Sequence, residues 1–221
     1  MKEGFFEGKD FGKGEFKALM PEHYPPKYQE YIKEETEFLQ KKVKGAKRIL
    51  EAGVGTGRLI PRLAPIVDEF IGVDDADLML KKSQEVAKKF SNVKIIKGEL
   101  ENLSNIFPED YFDFSLCVWN TLGNVQDEVK ILNEISRVTS KSIFITVYHK
   151  GTLEDRKNWY ETVGVKISKV DEEKEIFYSE SGLKSKSYCL EDIKKIANES
   201  NLKIKDFKII AGVILWVELH K

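Results

Sequence analysis

The stretch "RILEAGVGTGRLI", residues 48–60, places three glycines at alternate positions between an apolar run and a segment with helical spacing. A strand that ends in Gly53, Gly55 and Gly57 and continues into a helix makes a tight turn with peptide N–H groups open to a ligand. Such a turn needs glycine whether or not it binds anything, so it identifies no ligand by itself. The fingerprint of dinucleotide-binding proteins has its third glycine one position later, where this chain has Arg58. The spacing therefore disfavours NAD.

Apolar strand patterns alternate with helical patterns on both sides of this turn. The predicted strands cover residues 48–53, 69–74, 93–98, 112–119, 142–148, 203–210 and 213–221. The predicted helices cover residues 27–43, 57–66, 77–90, 127–138, 153–162 and 190–200. This alternation predicts an α/β fold, a doubly wound, mostly parallel seven-stranded sheet with helices on both faces. Because only Ala211 and Gly212 separate the last two strands, we expect them to form an antiparallel hairpin at the C-terminal edge.

Charge and composition limit the classes of partner. The 36 basic and 37 acidic side chains nearly cancel, which disfavours nucleic acid and anionic membranes as partners. The N-terminus lacks the apolar core of a signal peptide, and no apolar run is long enough to span a bilayer. Cys117 and Cys189 have no zinc-site spacing, so we expect reduced cysteines and no metal site. The sequence predicts a cytoplasmic protein.

The run from Glu51 to Gly57 resembles the first motif of the class I S-adenosylmethionine-dependent methyltransferases, and the resemblance extends over roughly residues 46 to 150. It implies S-adenosylmethionine as the cofactor. The backbone of the glycine turn would approach the methionine part of the cofactor, and Glu51 would hold its amino group. The turn residues that the resemblance assigns to the cofactor are Gly53, Val54, Gly55 and Gly57.

Acidic residues at the ends of the next two predicted strands extend the resemblance. Asp74, with Asp75 beside it, matches the family's ribose-binding acid, and a carboxylate there can accept both ribose hydroxyls. An Asx turn or helix cap is the alternative, and both roles can coexist. In "KGELENL", residues 97–103, Glu99 and the backbone of Leu100 match the family's adenine contacts. A surface carboxylate is the alternative for Glu99.

The fourth strand ends at Trp119 and Asn120, where ligands lie in open α/β sheets. The Trp119 indole would pack on adenine or on the sulfonium, or it is an ordinary core tryptophan. The following "NTLGN" is similar to the loop of family members that methylate small molecules, and it lacks their relatives' Asn-Pro-Pro-aromatic signature for amide or base nitrogens. The resemblance therefore predicts methyl transfer to an oxygen or nitrogen of a small molecule. RNA or protein methylation, and a non-catalytic cofactor-binding scaffold, remain alternatives.

A catalytic base is the least determined part of the prediction. His149 follows the fifth predicted strand, at the same edge of the sheet as the proposed cofactor, and histidine titrates near neutral pH. A residue that caps the next turn is the alternative for His149, with Tyr148 shaping the pocket instead.

We predict that residues 1–45 form an N-terminal arm and helix that act as a lid, followed by a methyltransferase domain over residues 46–221. The arm is rich in aromatic side chains, and packing against the core is the alternative to a lid. A polar hairpin insertion is expected near residues 164–180, where it would recognise substrate or bind a second subunit. A homo-oligomer is therefore an open alternative.

Overall fold

The computed structural model describes residues 17–221, except for the side chain of Pro21. The predictions made for the arm over residues 1–16 lie outside the described residues. In the part of the chain that the structure describes, no helix is both long and apolar enough to cross a membrane.

Helices and strands alternate as the sequence predicts. The α-helices are α1 (Pro26–Val43), α2 (Ile60–Leu63), α3 (Asp77–Ala87), α4 (Thr121–Asn124), α5 (Glu128–Val138), α6 (Leu153–Val163) and α7 (Leu190–Glu199). The strands are β1 (Arg48–Ala52), β2 (Glu69–Asp74), β3 (Val93–Lys97), β4 (Phe112–Cys117), β5 (Thr139–His149), β6 (Ile167–Asp171), β7 (Ile176–Ser179), β8 (Lys184–Tyr188), β9 (Lys203–Ile210) and β10 (Ile214–His220). Short 3-10 helices cover Pro21–His23, Ala64–Ile66 and Leu100–Asn105.

The main sheet has the strand order β3-β2-β1-β4-β5-β10-β9. Strands β1 to β5 pair in parallel, whereas β10 is antiparallel to both β5 and β9. The predicted α/β class, the mostly parallel seven-stranded sheet and the C-terminal hairpin are therefore confirmed. The hairpin inserts its second strand beside β5, so β9 forms the edge and β10 is an interior strand with buried side chains.

A second, antiparallel sheet of β6, β7 and β8 joins the end of β5. The sequence pattern predicts the β6–β7 hairpin but not β8, whose residues "KSKSY" carry too few apolar side chains to indicate a strand. Two residue pairs, Tyr148 with Ser187 and His149 with Tyr188, make the backbone link between β5 and β8. The second sheet thus lies beside the carboxyl end of β5.

The segment after the glycine turn differs from the predicted helix over residues 57–66. Gly57 has a φ of 80°, which belongs to the turn and not to a right-handed helix. Pro65 has no N–H group to extend α2, and the chain continues as a 3-10 helix. The glycine turn is consequently longer and more open than a direct strand-to-helix joint.

Apolar side chains cover both faces of the main sheet. On one face, α1 buries Tyr31, Leu39 and Val43 in a cluster that includes Phe144 and Trp216. On the other face, α5 and α7 bury their isoleucines against β5 and β10. This two-sided packing leaves the carboxyl ends of β1, β2, β4 and β5 together at one edge, where ligands bind in open α/β sheets.

Candidate functional site

The glycine turn after β1 requires glycine for two different reasons. Gly53, Gly55 and Gly57 have φ angles of 79°, 52° and 80°, in the left-handed region. A Cβ atom on Gly53 would lie 2.6 Å from Thr121 Cγ2, and one on Gly57 would lie 2.7 Å from Ile60 Cδ1. A Cβ atom on Gly55 would meet nothing within 4 Å. Gly53 and Gly57 therefore allow close packing, while Gly55 borders open space.

Val54 anchors this turn to the neighbouring strand. Its backbone N–H donates to Val73 O at 3.0 Å. Its side chain fills the space above Gly72, where a Cβ atom would come within 2.7 Å of Val54 Cγ2. Val54 therefore positions the turn on β2 with a backbone hydrogen bond and a buried side chain.

Asp74 connects the end of β2 to the glycine turn. Its Oδ2 accepts a hydrogen bond from the Gly55 N–H at 2.8 Å, and its Oδ1 accepts one from the Ala76 N–H at 3.1 Å. Burial raises the pKa of Asp74 to about 6, although these backbone donors act in the opposite direction. The Ala76 contact is the Asx turn considered above, while the adjacent Asp75 side chain is exposed.

Glu51 presents an unusual carboxylate within β1. The side chain is buried, and its Oε2 has no hydrogen-bond partner within residues 17–221. Burial raises the pKa of Glu51 to about 8; Arg58 lowers it, whereas Glu35 and Asp74 add to the increase. Buried polar atoms are normally hydrogen-bonded, so an orphaned carboxylate oxygen marks a place for a donor.

Arg58 links the glycine turn to helix α1 through a buried ion pair. Its Nη2 lies 2.6 Å from Glu35 Oε2, and Glu35 is fully buried. The other oxygen of Glu35 accepts hydrogen bonds from the Tyr31 hydroxyl and, at 2.9 Å, from Thr146 Oγ1. Arg58 Nη1 is buried and has no hydrogen-bond partner in the part of the chain that the structure describes. In the sequence, Arg58 is recognisable only as a departure from the dinucleotide pattern, and its partner Glu35, 23 residues upstream, carries no signal.

The exit of β4 is held in a strained conformation. Trp119 and Asn120 have φ angles of 55° and 61°, which are uncommon for residues other than glycine. Thr146 fixes both residues, because its Oγ1 accepts from the Trp119 N–H at 2.8 Å and its carbonyl accepts from the Asn120 N–H at 2.9 Å. Backbone strain of this kind persists where surrounding structure holds it, and it clusters at functional sites.

The side chains of Trp119 and Asn120 have different surroundings. The half-buried indole of Trp119 stacks on the Tyr31 ring, with centroids 5.4 Å apart and planes at 7°, and lies 4.7 Å from the Tyr24 ring. Asn120 is buried, and its Oδ1 accepts from the Tyr148 N–H at 3.2 Å. Its Nδ2 donates to Ser185 Oγ at 3.4 Å. The rings of Tyr24, Tyr31 and Trp119 therefore form one group, which we call the aromatic surface. Asn120 instead connects the end of β4 to β5 and β8 through its hydrogen bonds.

The two residues predicted to contact adenine lie after β3. Glu99 is exposed and accepts a hydrogen bond from Asn102 Nδ2 at 2.7 Å, at the start of a 3-10 helix. Leu100 is buried and belongs to the core. Both roles stay predictions.

His149 is not among the residues that converge on the glycine turn. Successive side chains on a strand point to opposite faces, and Thr146 and Tyr148 are the β5 residues that contact the aromatic surface. His149 is half-buried, and its ring forms no hydrogen bond within residues 17–221. Its role as a base stays a prediction, and it gains no support from this geometry.

Comparison with known proteins places this geometry in a family. The family model described as a methyltransferase domain matches residues 43–182. An uncharacterized methyltransferase, YcgJ of Bacillus subtilis (strain 168), is 32% identical over 105 residues, which cover 46% of this chain and 40% of YcgJ. The match thus spans less than half the length of that curated relative.

Two solved structures show the same fold at low sequence identity. PH0226 of Pyrococcus horikoshii OT3 has a TM-score of 0.71 at 19% identity, covering 93% of this chain and 98% of that one. The 1,6-didemethyltoxoflavin-N1-methyltransferase of Burkholderia thailandensis, with bound 1,6-didemethyltoxoflavin and S-adenosylhomocysteine, has a TM-score of 0.63 at 14% identity, covering 84% and 76%. Because the family model covers well over half of the 221 residues, the chain belongs to the methyltransferase domain family, in the class I S-adenosylmethionine-dependent group.

Proposed function

We propose that this protein is an enzyme that transfers a methyl group from S-adenosylmethionine to an oxygen or nitrogen of a small molecule. The observation that carries the proposal is the orphaned, buried carboxylate oxygen of Glu51 beside the glycine turn. The unpartnered Nη1 of Arg58 belongs to the same electrostatic environment. One orphaned acceptor and one orphaned donor together fit a zwitterion, such as the amino-acid part of the cofactor.

Each polar group of the cofactor has a candidate partner in this chain. Glu51 would hold the ammonium group, and Arg58 Nη1 would hold the carboxylate. Asp74, with Asp75 next to it, would accept the ribose hydroxyls, and Glu99 with the Leu100 backbone would hold adenine. The turn residues Gly53, Val54, Gly55 and Gly57 would provide the close backbone approach, while Trp119 and Asn120 would border the reacting end.

The chemistry asks little of the protein beyond alignment. When bound, the cofactor supplies a methyl group already activated on a sulfonium. Trp119 offers an aromatic face to positive charge, a contact worth about 0.5 to 2 kcal/mol. Because Tyr24 and Tyr31 flank this indole, the segment around α1 would also exclude water, as predicted for a lid.

A small-molecule acceptor has two sources of support. The Burkholderia thailandensis neighbour carries a small molecule in its structure. The net charge of −1 provides no general attraction for a polyanion such as RNA. Cytoplasmic location and a homo-oligomer stay predictions alongside this proposal.

Calorimetry with S-adenosylhomocysteine tests the cofactor assignment. Wild-type protein is expected to bind, and Asp74→Ala is expected to weaken binding by about tenfold or more, since charge-assisted hydrogen bonds to hydroxyls are lost. Asp113→Asn is the matched control, because Asp113 also accepts from a backbone N–H, that of Lys47 at 2.7 Å, but lies at the start of β4. No binding by wild type, or equal binding by Asp74→Ala, would contradict the assignment.

Labelled cofactor incubated with cell extract tests the acceptor class. We expect the labelled methyl group to appear in the low-molecular-mass fraction. Label that appears in RNA or protein would refute the small-molecule proposal, and absence of any transfer would favour a non-catalytic cofactor-binding protein.

A further inference from the structure

Three buried hydrogen-bond donors that have no partner among the described residues lie together between α1, α6 and the end of β5. They are Tyr28 OH, Trp159 Nε1 and Arg156 Nε, on side chains that are 1%, 3% and 0% exposed. The Tyr28 and Trp159 rings have centroids 4.6 Å apart. Tyr148 joins the group, 6.0 Å from the Tyr28 ring and 5.0 Å from the Arg156 guanidinium. We call Tyr28, Tyr148, Arg156 and Trp159 the donor cluster.

The donor cluster carries a positive charge without an ion-pair partner. Arg156 donates to the backbone carbonyls of Glu175, at 2.8 Å, and Ser185, at 3.2 Å, and no carboxylate of residues 17–221 lies within ion-pair distance of it. The Glu175 carboxylate instead accepts from the Gly151 N–H at 2.7 Å and from Ser187 Oγ at 2.9 Å. Burial raises the pKa of Tyr28 and Tyr148, so both phenols are neutral donors at physiological pH. A buried guanidinium in such surroundings favours an anion.

The donor cluster adjoins the proposed reacting end of the cofactor site. Trp159 lies 6.0 Å from Trp119, the residue at the exit of β4. Ser185 Oγ lies 3.4 Å from both Arg156 Nη1 and Asn120 Nδ2, so one hydroxyl connects the cluster to that exit. Tyr24 lies over Trp119 and edge-on to Trp159, with centroids 4.7 and 5.9 Å away.

We propose that the methyl acceptor binds against the donor cluster and that it is a planar aromatic acid whose anionic group pairs with Arg156. The proposal rests on the methyltransferase function proposed above. The orphaned donors of Tyr28 and Trp159 provide hydrogen bonds to an acceptor oxygen or nitrogen, and the surrounding rings favour a flat ligand. Tyr24 must move aside to admit it, which gives the segment before α1 a gating role.

Binding of paired acids and amides tests the proposal. The probes are benzoate, 2-naphthoate and indole-3-carboxylate, each with its uncharged carboxamide, titrated by calorimetry into protein saturated with S-adenosylhomocysteine. We expect at least one acid to bind about tenfold or more tightly than its amide, because the amide cannot form the charge-assisted pair. Arg156→Lys should remove most of this preference, because lysine cannot reproduce the planar fork of arginine.

Variants that remove only an orphaned donor separate ligand binding from folding. Tyr28→Phe breaks no hydrogen bond in the unliganded protein, so its urea midpoint should not fall, yet acid binding should weaken about threefold or more. Trp159→Phe has a matched control in Trp216→Phe. Trp216 Nε1 is also buried and orphaned, but its ring packs on Phe38, 4.3 Å away, outside the donor cluster. Only Trp159→Phe should weaken acid binding.

Three results would overturn the proposal. They are equal affinity for acids and amides, no acid binding while S-adenosylhomocysteine binds, and equal effects of the two tryptophan substitutions. Absence of S-adenosylhomocysteine binding would instead show that the methyltransferase function itself is wrong.

Discussion

At the scale of single residues, the candidate site contains buried polar atoms that have no hydrogen-bond partner among residues 17–221. Glu51 and Arg58 each keep one such atom beside the glycine turn, next to the hydrogen bonds that Glu35 forms with Arg58 and Thr146. Burying an unpaired carboxylate costs folding free energy, which a ligand that supplies the missing donor recovers. Glu51 is therefore expected to be a stability liability in the unliganded protein.

The destabilisation that Glu51 causes should depend on pH, and the substitution Glu51→Gln should show this dependence. Between the ordinary pKa of 4.5 and the folded-state pKa of about 8, the unfolded chain has lost a proton that buried Glu51 retains. Wild-type stability should fall across that range by up to about 1.4 kcal/mol per pH unit, and it should stop falling above it. Urea denaturation without cofactor, at about pH 5 and about pH 8, should show Glu51→Gln gaining stability over wild type as pH rises. A difference that does not change with pH would contradict this assignment of the titrating group.

The position of an individual residue can be predicted from the sequence only where it depends on local structure. Gly53, Gly55 and Gly57 follow from the geometry of one turn, and Asp74 follows from its place at a strand end. Glu35 could not be found in this way, because its partners Arg58 and Thr146 are 23 and 111 residues distant and only the folded sheet brings them together. Within helix α1 it resembles any other glutamate of a charged helix.

At the scale of elements, an ion pair and hydrogen bonds, as well as apolar packing, hold α1 against the edge of the sheet where the carboxyl ends of β1, β2, β4 and β5 meet. Glu35 binds the glycine turn through Arg58 and β5 through Thr146, while Tyr31 of the same helix stacks on Trp119. A helix held by a buried ion pair has few alternative positions, because any shift leaves a charge unpaired. The orientation of α1 and the shape of the glycine turn should therefore depend on each other.

Substitution of two adjacent glutamates in α1 tests this dependence. Glu35→Gln leaves the Arg58 guanidinium buried without its counter-ion, and it should lower the free energy of unfolding by about 3–5 kcal/mol. Glu34→Gln removes an exposed pair with Lys208 at 2.5 Å and should cost less than about 1 kcal/mol. Urea denaturation measures both, and similar small losses would show that the Glu35 pair does not hold the helix.

Most predicted elements have a clear apolar period, whereas β8, which has none and no turn signal of its own, is missed. Strands β1, β2 and β10 of the main sheet carry apolar runs because both of their faces are covered. Strand β8 alternates lysine and serine, since its side chains form polar contacts such as Lys186 with Glu128 at 2.8 Å. Such contacts leave no hydrophobic signal in the sequence.

At the scale of the whole molecule, the last strand of the chain, β10, lies inside the main sheet and not at its edge. Residues Ile214 to Leu219 of β10 are buried and pair with β5 on one side and β9 on the other. Strand β9 forms the edge, and its Phe207 and Ile209 side chains are about half exposed. The main sheet is therefore complete only after the chain has returned from the second sheet and α7.

Hydrogen exchange should report this order of protection. Amides of β10 should exchange only through global unfolding, because β10 is paired with a strand on each side. Their protection should be close to that of β1 and β4. The unpaired edge of β9 should exchange faster. Measurement by mass spectrometry would contradict this account if β10 exchanged as fast as β9.

Only two residue pairs form the backbone link between β5 of the main sheet and β8 of the second sheet. Ser185 of β8 and the carbonyl of Glu175, in the turn between β6 and β7, accept hydrogen bonds from Arg156, whereas the glycine turn, Glu51 and Asp74 belong to strands that do not pair with the second sheet. Under the proposed function, substitutions in residues 167–188 other than Ser185, which contacts Asn120, are expected to change which compound binds without changing the glycine turn.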